Sequence, residues 1–88
     1  MTEVETPALL SRNQLRWACR RGMLELDLLL GGFVDHGYDE LTFQEKVLFQ
    51  QLLREADQQL LEYFMGQGKP DDPELNNVIE KIRLAVTA

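Results

Sequence analysis

The chain is poor in the residues that build most catalytic and metal sites. It has one cysteine, Cys19, and one histidine, His36. A single cysteine closes no disulfide within the chain, which fits a reducing compartment. A zinc site takes about four Cys, His or carboxylate ligands at suitable spacing; that pattern is missing, and no metal is expected. There is no phosphate-cradling loop either, because Gly31-Gly32 lies inside a helical pattern with no lysine after it. No apolar run approaches the ~18 residues of a membrane span. The block Leu28 to Leu30 is cut by the glycine pair, so no membrane insertion is expected. Met1 to Pro7 carries Glu3 and Glu5 and no arginine, unlike a secretory signal or a mitochondrial transit peptide. These absences give the expectation of a cytoplasmic protein of bacterial source that is not itself an enzyme.

Positive charge is also scarce. Nine Lys and Arg stand against 15 Asp and Glu, a net charge of -6. Such a balance disfavours phosphate backbones and anionic membrane surfaces, so no nucleic acid is expected as a partner. The distribution is uneven: Arg12, Arg16, Arg20 and Arg21 fall within ten residues that contain no acid. That basic stripe is suited to an acidic patch on another protein.

What is present is a core and a helical period. Hydrophobic residues make up 44% of 88 residues, enough for one small domain. Met1 to Leu10 reads as a mobile tail, and 11–88 as a single domain. Ser11 is placed to cap a first helix running to about Arg20, with Leu15, Ala18 and Cys19 on its apolar side. Gly22 interrupts the pattern. A second helix, Met23 to His36, carries Met23, Leu26, Leu30 and Phe33 as a core stripe, and Leu24, Leu28 and Leu29 widen it toward further neighbours. Gly31 and Gly32 are tolerable there if another helix approaches closely. Gly37 reads as the C′ residue.

Thr42 and Glu45 form a capping box for a third helix with Phe43, Val47, Leu48, Leu52 and Leu53 inward. Asp57 is placed to cap a fourth, with Leu60, Leu61 and Phe64. No glycine or proline separates the two, so one bent helix from Phe43 to Met65 is the alternative. Asp72-Pro73-Glu74 starts the last helix, whose apolar face is Leu75, Val78, Ile79, Ile82 and Val86. No strand signal competes. The expected fold is all-α, a compact bundle of four to five short helices.

The segment from Trp17 to Glu25 is the one constellation with recognition chemistry. Arg21 lies one turn from Trp17, Gly22 removes bulk between two helices, and Glu25 stands in the first turn of the second helix, where the dipole favours a carboxylate. Two readings apply. In one this is a helix corner, with tryptophan in the core and Glu25 paired to Arg21 or Arg20. In the other it is a docking surface, since tryptophan and arginine are enriched at interface hot spots. Cys19, on the apolar side, reads as an inert buried thiol rather than half of a Cys19–His36 nucleophilic pair. His36 reads as an exposed or dipole-favoured residue at a helix end.

Arg21-Gly22-Met23-Leu24-Glu25, followed by Leu26 to Leu30, resembles the Arg-Gly-x-x-Glu signature of the succinate dehydrogenase assembly factors, also called FAD assembly factors. The resemblance takes in Trp17, Arg20, Tyr38, Leu41, Leu52-Leu53, Asp57 and the Gly68-Lys69-Pro70 loop, spanning about positions 12 to 84. It implies a five-helix fold. It implies as partner the flavoprotein subunit of succinate dehydrogenase, or in some bacteria of fumarate reductase, and a role in covalent attachment of FAD to a histidine of that subunit. Carried over, Arg21, Gly22 and Glu25 belong to the partner surface, joined by Arg20 and Trp17. No residue is assigned to a cofactor, and nothing here is suited to holding free FAD stably. Arg12 and Arg16 have no place in the pattern. The competing reading is an antitoxin-like or general small interaction module. A helix-turn-helix is disfavoured by charge, and by arginines that precede the turn instead of following it.

Overall fold

The computed structural model describes residues 8–87, and the side chains of 8–85. Five α-helices and one 3-10 turn account for its regular structure: α1 Arg12–Cys19, α2 Leu24–His36, the 3-10 turn Tyr38–Glu40, α3 Phe43–Leu52, α4 Asp57–Phe64 and α5 Pro73–Thr87. The expected all-α bundle is the observed one. Of the expected tail, residues 1–7 lie outside the described residues. Leu10 packs on the core, and its N–H donates to Gln50 at 2.6 Å.

The starts of the helices follow local chemistry. Ser11 accepts from the Gln14 amide while the Gln14 side chain accepts from the Ser11 amide, a capping box that opens α1. Thr42 and Glu45 do the same for α3. The other Glu45 oxygen accepts from Lys81 of α5 at 2.6 Å, and that hydrogen bond holds the carboxyl below its usual pKa. Asp72 accepts from the Glu74 amide at the start of α5. The second helix begins at Leu24, one position later than expected, because Met23 is still extended.

Gly37 ends α2 with φ −131, not in the left-handed region. Its glycine is required by space: a Cβ would lie 2.6 Å from a ring carbon of Phe33.

The core runs through all five helices. Leu15 and Cys19 of α1, Leu26, Leu30, Phe33 and Val34 of α2, Leu48, Phe49 and Leu52 of α3, Leu60 and Phe64 of α4, and Val78, Ile79 and Ile82 of α5 form one buried cluster. Helix α5 packs across α2 and α3, and α1 lies on α2. Phe49 is at its centre, with the rings of Phe33 and Tyr38 each 5.5 Å away.

Several expected inward positions differ. Phe43, at the first position of α3, is half exposed, and Phe49 takes the aromatic place in the core. Leu24 and Leu28 lie on the outer side of α2 and are largely exposed. Val86 lies outside the described side chains. Gly31 and Gly32 face no close neighbour, since a Cβ at either would meet nothing within 4 Å. Their helix cost, about 1 kcal/mol each relative to alanine, is therefore not explained by packing among the described residues.

Arg12 and Arg16 acquire a role. Arg12 donates to the Val34 carbonyl at 2.6 Å and bridges to Asp39, and Arg16 bridges to Asp35 at 2.6 Å. They lace α1 onto the far end of α2. Both pairs are exposed, and exposed pairs contribute about 1 kcal/mol or less each.

Candidate functional site

Helices α1 and α2 meet at a corner made by residues 20–23. Arg20 and Met23 are extended, and Gly22 between them has φ +81. That left-handed conformation disfavours any residue with a Cβ. The space around Gly22 is otherwise open.

Arg21 faces inward at this corner. Its side chain is 15% exposed, and its guanidinium donates four hydrogen bonds within the chain. Nε reaches Asp57 at 2.5 Å, the two terminal nitrogens reach the carbonyls of Leu53 at 2.9 Å and Glu55 at 2.6 Å, and a weaker bond goes to the Ala18 carbonyl at 3.1 Å. Its backbone N–H donates to Asp27 of α2 at 2.7 Å. One side chain thus ties the α1–α2 corner to the turn between α3 and α4. The carbonyls it takes are those left open where α3 ends, so the break between α3 and α4 is held by a residue 32 positions before Leu53. Asp57 is the first residue of α4 and not its cap. Ala56 holds the cap position, with no side-chain hydrogen bond, and the Asp57 carboxylate answers Arg21.

This arrangement corrects the corner reading of the sequence. Glu25 does not pair with Arg21 or Arg20. It is exposed and makes no hydrogen bond or ion pair with any described residue. Trp17 is not core but 73% exposed, and the Arg20 guanidinium carbon lies 5.9 Å from its ring centroid, within cation–π range. The structure therefore separates the candidate residues into two sets. Trp17, Arg20 and Glu25 face outward without a carboxylate or ammonium partner among the described residues. Arg21 lies underneath, and Gly22 shapes the bend between them.

Beside the corner a groove of about 540 Å³ runs between α1 and α2. Arg16 and Arg20 border it on one side, Asp27 and Asp35 on the other, with Leu28 and Gly31 along its length. Leu24 and Leu28, expected to widen the core stripe, are surface features with Gly31. Nothing in the local sequence pattern marks Asp27 and Asp57 as the partners of Arg21.

Cys19 lies at the base of the groove, 2% exposed. Burial is the main cause that pushes its thiol up to about 11, opposed by the nearby Arg21 charge. The thiolate is the reactive form, so native alkylation by iodoacetamide at pH 7.5 is expected to be at least tenfold slower than in urea. Equal rates would mean that the site opens readily. His36 is exposed at the end of α2, whereas Cys19 is buried. Among the described residues no group of three or more His, Cys, Asp or Glu could hold a metal ion, and no helix is long and apolar enough to cross a membrane.

Comparison with known proteins places the chain as a whole. Residues 13–86 match the model of a family described as the flavinator of succinate dehydrogenase. The chain is similar to curated proteins named FAD assembly factor SdhE. It is 50% identical to the Idiomarina loihiensis protein, over 82% of this chain and 80% of the relative. Identity to the Shewanella oneidensis protein is 47%, over 85% and 92% of the two chains. With the Coxiella burnetii protein it is 42%, over 84% and 90%.

Proposed function

The chain belongs to the succinate dehydrogenase flavinator family, and from that premise we propose that it is a non-catalytic assembly factor of the cytoplasm. It docks on the flavoprotein subunit of succinate dehydrogenase, or in some bacteria of fumarate reductase, and promotes covalent attachment of FAD to a histidine of that subunit. The bond is made within the partner, which supplies both the histidine and the flavin. The factor binds an immature, mobile form of the subunit and favours the conformation in which the two are aligned. A ligand shifts a population by its differential affinity for the two states, and holding reacting groups in near-attack geometry can lower a barrier by several kcal/mol.

The observation that carries this reading is the outward set at the corner. Trp17, Arg20 and Glu25 are exposed at one bend and have no ion pair among the described residues. Arg21 serves the same surface from below. With its hydrogen bonds made internally, it fixes the direction in which Gly22 and Glu25 are presented, and it is a positioning residue. Trp17 supplies apolar area to a partner, and Glu25 a carboxylate already favoured by the start of α2.

Co-elution of the purified chain with the succinate dehydrogenase flavoprotein subunit on size exclusion tests the docking step. A shared peak that is lost with Trp17→Ala supports it. Separate elution with the wild-type chain contradicts it and favours an interaction module with another protein as partner.

A further inference from the structure

Gly31 is in the middle of α2, a position where glycine weakens a helix, and no neighbour among the described residues needs its missing side chain. It borders the open groove together with Leu28, which is 66% exposed. The two carboxylates on that side are engaged, Asp35 by Arg16 at 2.6 Å and Asp27 by the Arg21 amide at 2.7 Å. Arg20, on the opposite lip with Arg16, has no carboxylate partner among the described residues and lies against the Trp17 ring. The groove thus offers bare backbone, an exposed leucine and, at Arg20, a guanidinium with no carboxylate partner among the described residues.

We propose that this groove receives a segment of the flavoprotein subunit that lays an apolar side chain against the Gly31 backbone beside Leu28 and sets an adjacent carboxylate on Arg20. The proposal rests on the assembly reading and deepens it by naming the chemistry of the partner segment. A side chain at position 31 would occupy the space that the incoming group fills. The positive lip selects an acidic neighbour, because the groove's own carboxylates are already turned to other donors. Gly31 then has its use in the complex and not in the free protein.

Calorimetric titration of the purified flavoprotein subunit with wild type, Gly31→Leu and Arg20→Glu tests this. Gly31→Leu replaces a helix-interior glycine in open space, so its helical circular dichroism is kept and it melts at or above the wild-type temperature. Both variants are expected to bind about tenfold more weakly or worse. Binding by both within about twofold of wild type overturns the groove proposal and leaves the assembly reading standing. No binding by wild type overturns the assembly reading, and the groove proposal with it. A wild-type dimer that Gly31→Leu dissociates, with flavoprotein binding unchanged, assigns the groove to a second copy of the chain and also overturns the proposal.

Discussion

Arg21→Ala is expected to melt roughly 12–24 °C below wild type, a loss of about 3 kcal/mol at ~4–8 °C per kcal/mol for a domain of this size. The substitution removes four charge-assisted bonds, one to the Asp57 carboxylate and three to carbonyls. Hydrogen bonds to charged groups contribute about 1.5–3 kcal/mol each, but these four act as a unit and water replaces part of them, so the sum is not reached. The effect is large because the bonds join segments far apart in sequence: the α1–α2 corner, the end of α3 and the start of α4 lose their common anchor. Arg21→Lys places an ammonium where a planar fork is needed and recovers only part of the loss. Thermal melts followed by circular dichroism give the answer. A variant that melts with wild type yet fails to bind the flavoprotein would put Arg21 in the interface instead of beneath it.

Gly22 carries the second large effect, and it separates strain from bulk. At φ +81 any L side chain costs about 1–2 kcal/mol. Gly22→Ala and Gly22→Arg are therefore both expected to melt roughly 4–16 °C below wild type, even though the space around the position is open. From sequence, Gly22→Arg is expected to block docking with little unfolding; the backbone angle shows that it also strains the fold. The comparison that isolates docking is between the two variants. Gly22→Ala keeps most flavoprotein affinity, and Gly22→Arg, at similar stability, loses at least about tenfold. Equal affinities of the two would remove the corner from the interface.

Much of this fold is written locally. Ser11, Thr42 with Glu45, and Asp72 with Pro73 each announce a helix start by the hydrogen bonds their side chains can make, and all three helices begin there. The features that escaped the sequence depend on distant residues. Nothing between Leu53 and Asp57 signals a break, because the break is held by Arg21 across the bundle. An apolar helix such as α2 does not show by periodicity which leucines face outward, so Leu24 and Leu28 were grouped with Leu26 and Leu30. Phe43 and Phe49 both suit the core by composition, and only the packing of Phe33 and Tyr38 decides for Phe49. At the corner the residues were legible but their directions were not. A motif read from sequence groups Arg21 with Glu25, whereas the fold turns one in and the other out.

The central claim is that an outward corner on a non-catalytic bundle promotes flavin attachment in another protein. It is tested most directly by covalent flavin in the succinate dehydrogenase flavoprotein subunit, read by in-gel fluorescence in cells with the chain present, deleted, or replaced by Glu25→Ala. The account predicts loss of the signal on deletion, recovery with wild type, and little recovery with Glu25→Ala, although that variant melts within a few degrees of wild type, because Glu25 has no hydrogen bond or ion pair among the described residues and gives up only its favoured place at the start of α2. An undiminished signal in the deletion would contradict it.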